Sequence, residues 1–260
     1  MFRQFTVLAL VLVAFAASAQ ASTIAHWTGD NTAADSSGNG HHGTLVGGTT
    51  YGTGVYGQAF KFDGANDYVT IPGNFPVDGA LQPATISVAM WVNVVSGGGL
   101  QLIADGSHGG VGGNNGGWAL QVSSTDKVDF AYGYGNQTFP HISSTTDIAD
   151  GTFHHVLAMM NGTHLRIFVD GIEDATPVAY PATETPLAST ANFGNVRLGS
   201  HYSISTRALE GLIDDVRIFS NELPPAQIEA VLAGVPEPST LILAVLGLLS
   251  LGVTRRRRRR

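Results

Sequence analysis

Asp214 is the residue whose surroundings point most directly to chemistry. In Leu212-Ile213-Asp214-Asp215-Val216-Arg217-Ile218, a two-residue period puts Asp214 on one strand face with Leu212, Val216 and Ile218. Asp215 falls on the other face with Ile213 and Arg217. A carboxylate on an apolar face needs compensation, because burying it unpaired costs on the order of several kcal/mol. A bound cation supplies that compensation, and hard oxygen ligands suit calcium (Ca2+). The alternative is a set of backbone N–H donors or an arginine. Asp30 and Asp35 are the acidic helpers to expect. Their competing role is turn chemistry, since Asp35-Ser36-Ser37-Gly38-Asn39-Gly40 reads as a loop. That loop starts like an EF-hand, but its twelfth position is Val46 where a bidentate Glu is required.

Other constellations carry less. With no cysteine in the chain, thiol catalysis and Cys-based zinc sites are excluded. Glycosidase chemistry needs two carboxylates flanking a sugar bond. Glu173 and Asp174 are adjacent, Glu210 and Asp214 are four apart, and Asp126 and Asp129 are three apart with no Glu. No alternating acid pattern forms, so the expectation is a protein that is not an enzyme. His41-His42 are adjacent on a loop, where their side chains diverge. Trp91, Trp118, Tyr132 and Tyr134 are candidate stacking platforms for a ligand, with core filling as the competing role of each. Trp91 alternates with Ile86, Val88, Met90, Val92 and Val94, which assigns it to an outer, concave sheet face.

The elements that must position these groups are short strands. Thr85–Val94 and Leu165–Val169 have period two. Asp170-Gly171 follows the second run and signals a type I′ hairpin. Ser96–Gly117 is glycine-dense, with one short strand at Leu102–Ala104. Pro224–Leu232 alone reads as a helix, with prolines tolerated in its first turn. Many short strands separated by turns argue for an antiparallel sandwich.

The two ends read differently. Arg3, an apolar stretch Phe5–Ala17 and Ala19-Gln20-Ala21 form a secretory signal peptide, residues 1–21, with cleavage between Ala21 and Ser22. Ser239–Thr254 is a 16-residue uncharged run before Arg255–Arg260. As a transmembrane helix it is a short span, with the arginines on the cytoplasmic side. Between these ends lies one domain, residues 22–234. The seven arginines of the ends leave it 6 of the 13 basic residues, and Glu237 leaves it 19 of the 20 acids. That excess of negative charge excludes nucleic acid as a partner, since phosphate contacts need a basic face. It favours cations.

Two resemblances follow from quoted stretches. Pro236-Glu237-Pro238, the apolar span and the arginine cluster, residues 235–260, resemble the PEP-CTERM sorting signal. The resemblance implies recognition by an exosortase-type membrane protease, followed by release or attachment at the cell surface, often beside exopolysaccharide. DSSGNGHHGTL (Asp35–Leu45), FKFDGANDYVTI (Phe60–Ile71), DGTFHHVLAMMNGTHLRIFVDG (Asp150–Gly171), VRLGS (Val196–Ser200) and LEGLIDDVRIFSNELPPAQIEAVL (Leu209–Leu232) together resemble laminin-G-like, concanavalin A-like domains. The implied fold is an all-β, antiparallel jelly-roll β-sandwich that binds glycans or proteins, with calcium held near the Asp214 position beside the first strand. Asn66-Asp67 is similar to the Asp-Asn pair of pentraxins, a second calcium candidate. The acids that pentraxins carry after a Leu-Gly are missing at Ser200-His201-Tyr202. The expected function is a non-catalytic glycan-binding or adhesion module at the cell surface; the alternatives are a structural matrix protein recognising other proteins and a glycoside hydrolase whose carboxylates are scattered in the sequence.

Overall fold

A computed structural model describes residues 21–72, 81, 83–95, 99–106, 108–109, 115–133, 140–180, 195–201 and 207–234. Tyr134, the Pro236-Glu237-Pro238 motif, the apolar run and most of the leader lie outside them. In chain order the strands are β1 (Thr23–Trp27), β2 (Thr44–Val46), β3 (Thr50–Thr53), β4 (Gln58–Asp63), β5 (Tyr68–Ile71), β6 (Ile86–Val95), β7 (Gln101–Asp105), β8 (His108–Gly109), β9 (Asn115–Val122), β10 (Lys127–Gly133), β11 (His141–Asp147), β12 (Asp150–Met160), β13 (His164–Val169), β14 (Ile172–Glu173), β15 (Val178–Ala179), β16 (Val196–Leu198) and β17 (Glu210–Phe219), followed by helix α1 (Pro225–Leu232).

They form two sheets, and among the described residues the strands pair antiparallel throughout. The first runs β14-β13-β12-β6-β17-β4-β3, with β1 added beside β17 and β15 beside β13. The second runs β11-β10-β9-β7-β16-β5-β2, with β8 beside β9. The central strands β6, β12 and β17 are the longest apolar runs, so they take the middle of the first sheet, where both faces are covered. Asp170 and Gly171 both have positive φ, 50° and 82°, and join β13 to β14 as the type I′ turn requires.

Two apolar layers result. Between the sheets, alternate residues such as Val88, Met90, Val92, Leu120, Phe130, Val156, Ile213 and Val216 interlock. Outside the first sheet, Ala89, Leu157, Met159, Phe168 and Phe219 meet Leu223, Ile228 and Val231. The helix exists to cover that patch. Pro225 presets its first turn, and Ile228 and Val231 fall three apart on the buried side.

The large aromatics settle by their polar tips. Trp27 donates its ring N–H to the His41 carbonyl at 2.7 Å. Trp118 donates to the Leu81 carbonyl at 2.8 Å, and the Tyr132 hydroxyl donates to the Pro83 carbonyl at 2.6 Å. All three are essentially buried. Trp118 and Tyr132 are therefore core residues, not ligand platforms. Burial pushes the Tyr132 phenol above its ordinary value.

Candidate functional site

The strand carrying Asp214 is not a plain period-two strand. Asp214 pairs with Trp91 on β6 while Arg217 pairs with Ala89, so three steps on β17 face two on β6. Asp215, at φ 49°, lies in this bulge. The extra residue reverses the alternation. Ile213, Val216 and Ile218 face the inter-sheet core, and Asp214 turns to the outer face with Trp91. The sequence reading that grouped Asp214 with Val216 and Ile218 is corrected by this bulge.

Asp214 remains fully buried. Its Oδ2 accepts the N–H groups of Val55 and Tyr56 at 2.7 and 2.9 Å. Burial pushes its carboxyl up to about 6, against those two hydrogen bonds. From the other side of the same turn, Asp30 Oδ1 accepts the Gln58 N–H at 2.8 Å. A Cβ on Gly54 would strike the Asp214 carboxylate, and one on Gly57, at φ 71°, would strike that of Asp30. The glycines let two carboxylates clamp one turn.

Asp35 does similar work elsewhere. Its Oδ1 accepts from His26 and Ser37, and its Oδ2 from His41. Burial pushes the Asp35 carboxyl up, but the hydrogen bonds from Ser37, His26 and His41 outweigh it and hold the group below its ordinary value. Its own N–H donates to His42 Nδ1 at 3.1 Å. Asp67 is also buried, with the Gly48 and Asp63 N–H groups on its two oxygens, and Asn66 is exposed. The four acids expected as calcium ligands thus serve turns. Among the described residues no three His, Asp or Glu side chains group as a metal site, so Asp30, Asp35 and Asp214 do not fit a three-acid calcium cage. Asp214 Oδ1 is the one atom of that set left buried without a partner.

Around Asp214 lies a polar cluster that the sequence did not disclose. His155, Trp91 and Asp214 stand side by side across β12, β6 and β17. Trp91 is packed edge-on by His155 at 5.2 Å and Tyr56 at 6.4 Å between ring centroids. It lies on the outer face, as its alternation indicates, yet as a packed ring and not an open platform. Asp215 accepts from His26 Nε2 at 2.5 Å and pairs with Arg217 at 3.0 Å. Burial pushes the Asp215 carboxyl up, and His26 and Arg217 outweigh it and hold it down.

Burial lowers the His155 imidazole to about 4. The unfolded chain therefore takes up a proton near pH 6.5 that the native chain refuses until about pH 4, so His155 removes stability as pH falls through that window. Asp214 acts with the opposite sign, because its native form binds a proton from about pH 6, before the unfolded carboxyl does. His155→Gln should therefore resist acid better than the wild type. Urea unfolding at pH 7 and pH 4.5 should show the variant gaining about 2 kcal/mol relative to the wild type.

The open polar surface lies on the other sheet. Its core-facing residues are Trp118, Leu120, Val122, Val128, Phe130 and Tyr132. Between them, Ala119, Gln121, Asp129 and Ala131 point outward and are partly exposed. Register places His141, Ala131, Ala119, Asp105, Arg197, Thr70 and Thr44 in one row across six neighbouring strand pairs; Asp105 in its middle is fully buried, so the open part of the row is the His141–Ala131–Ala119 side. A second row holds Ser143, Asp129 and Gln121. Small residues thus form a floor, with polar groups alongside. At one end the Arg197 guanidinium lies over the Tyr68 ring, 4.3 Å from its centroid, and its NH1 donates to the His201 carbonyl at 3.0 Å. The signal was present in GGWALQV and KVDFAYG as bulky residues alternating with Gly, Ala and polar ones.

This architecture defines a two-sheet β-sandwich module with a partly exposed polar sheet face. The chain belongs to the concanavalin A-like lectin/glucanases superfamily, whose laminin-G-type profile matches residues 63–229. Residues 234–259 match the PEP-CTERM protein-sorting motif. A search of curated proteins found no match. Among solved structures, the binding domain of botulinum neurotoxin DC in complex with SialylT is similar at 17% identity and a TM-score of 0.64, over 83% of this chain and 52% of that one. The same toxin domain with rat synaptotagmin II aligns at 18% identity and a TM-score of 0.63, over 83% and 52%. Domain 4 of AbnA, an extracellular arabinanase from Geobacillus stearothermophilus, in complex with arabinotriose, aligns at 19% identity and a TM-score of 0.61, over 82% and 98%. The chain thus spans about half the length of the toxin domains. At these identities the likeness is one of fold. Among the described residues no helix is long and apolar enough to cross a membrane.

Proposed function

We propose that this protein is a non-catalytic glycan-binding module exported to the cell surface, and that it reads a polysaccharide across the outer face of the β11-β10-β9-β7-β16-β5 sheet. The observation that carries the reading is the row of small residues, Ala119 and Ala131, flanked by Gln121, Asp129 and Ser143 on one side and by Arg197 and Tyr68 at one end. A flat floor admits a sugar chain, and hydroxyl groups pair with amide, carboxylate and guanidinium groups set in a rigid sheet. Support comes from two fold relatives whose solved complexes hold SialylT and arabinotriose. The sorting motif supports export, and an exosortase-type membrane protease is the partner proposed for Pro236-Glu237-Pro238. The relative solved with synaptotagmin II supports a second reading, in which the same face recognises a surface protein.

The test is a binding assay of the secreted protein on a broad glycan array and on bacterial exopolysaccharides. Ala131→Trp, which fills the floor, and Gln121→Ala with Asp129→Ala, which strip its polar edge, should each weaken binding at least about tenfold, a loss of about 1.4 kcal/mol. These substitutions sit outside the core, so melting should stay nearly unchanged. Binding that survives all of them would reject this face. Glycan binding by none of the polymers, with protein capture abolished by Ala131→Trp, would favour the second reading.

A further inference from the structure

We propose that the leader is removed after Ala19, so that the mature chain begins at Gln20, two residues before the start expected from Ala19-Gln20-Ala21. This inference rests on the reading of the N-terminus as an export signal. It comes from the use the fold makes of Ala21. Ala21 is only 2% exposed and belongs to the apolar cluster of Leu223, Ile228 and Val231 beneath α1. Its carbonyl oxygen accepts a hydrogen bond from Gln227 Nε2 at 3.0 Å.

Gln227 makes that bond matter. It is a buried residue of α1, 5% exposed, and its Oε1 has no partner among the described residues. Ala21 thus supplies the acceptor for this buried amide. A cut between Ala21 and Ser22 would remove the acceptor and the packed methyl together. It would also place a charged ammonium on Ser22, whose carbonyl accepts the Ser220 N–H at 3.0 Å and whose hydroxyl lies 2.9 Å from that of Ser220. A buried polar group stripped of its partner is costly.

Leader-peptidase chemistry does not require that loss. Ala17-Ser18-Ala19 has the same small-x-small form as Ala19-Gln20-Ala21. Hydrolysis there adds one water across the Ala19–Gln20 peptide bond, leaving a carboxylate on Ala19 and an amine on Gln20. Gln20 and Ala21 stay with the domain. An N-terminal glutamine then closes on itself, its amine attacking the side-chain amide carbon and expelling ammonia.

The experiment is to express the full precursor with its own leader in a bacterium with an active general secretion route, and to identify the N-terminal peptide of the exported protein by mass spectrometry. A peptide beginning at Gln20, open or cyclised, is the expected result. One beginning at Ser22, or further downstream, overturns the inference and leaves the export reading standing. One beginning at Met1 overturns both. Ala17→Leu alters the third position before the proposed cut and leaves Ala19 and Ala21 intact. It should reduce the Gln20 form at least tenfold, and unchanged processing of this variant would also overturn the inference.

Discussion

Asp215→Ala should unfold more readily than any single surface variant of this protein, with a stability loss of about 3–5 kcal/mol in urea melts. The reason lies in what it leaves behind. Arg217 is almost fully buried and pairs with the Asp215 carboxylate at 3.0 Å, while His26 holds the same carboxylate from β1. Removing the acid strands a guanidinium in a desolvated place. The double variant Asp215→Ala with Arg217→Met removes both charges and keeps the packing of the side-chain stem. It should lose less stability than Asp215→Ala alone. If the two changes simply add, the pair is not a coupled buried unit.

Asp214→Ala should cost about 2–4 kcal/mol, and Asp214→Asn much less. The alanine takes away the carboxylate to which the Val55 and Tyr56 N–H groups donate, and a lost hydrogen bond to a charged group is worth about 1.5–3 kcal/mol. The asparagine keeps a carbonyl oxygen for them and drops a charge that burial already disfavours. Thermal melts of both variants check this, and equal losses would discount the turn clamp. The same melts with calcium and with excess chelator test a cation on Asp214 Oδ1. A ligand that binds only the native state must raise the wild-type midpoint and leave that of Asp214→Ala unmoved.

Much of the fold was legible because its signals are local. Alternation gave β6 and β13, Asp170-Gly171 gave a hairpin, and two prolines before Ile228 and Val231 gave the helix. The site was less legible because its logic is non-local. A single inserted residue near Asp215 moves Asp214 from the core face to the outer face, and nothing in IDDVRIF marks which residue bulges. Asp30 and Asp214 meet at the Gly54–Gln58 turn across a sequence distance that no spacing rule covers. Tyr132 and Trp118 look like ligand platforms until the carbonyls of Pro83 and Leu81 claim their polar tips. Ala119 and Ala131 attract no notice in a list of residues, and gain meaning only when register lays them side by side.

Helix α1 also has a mechanical consequence. The chain leaves the described fold at Gly234, where a Cβ would press on the Tyr56 ring, and the Tyr56 hydroxyl donates to the Leu232 carbonyl at 3.0 Å. A pull applied at that point reaches α1 before any strand. The helix is held by a few apolar side chains, the Tyr56 hydroxyl and the Gln227–Ala21 hydrogen bond, so it should peel one contact at a time. Behind it, β17 lies between β6 and β4 with β1 alongside, and there the load must break many hydrogen bonds at once. The helix would act as a slack line that pays out first, and the sheet as the stop that holds.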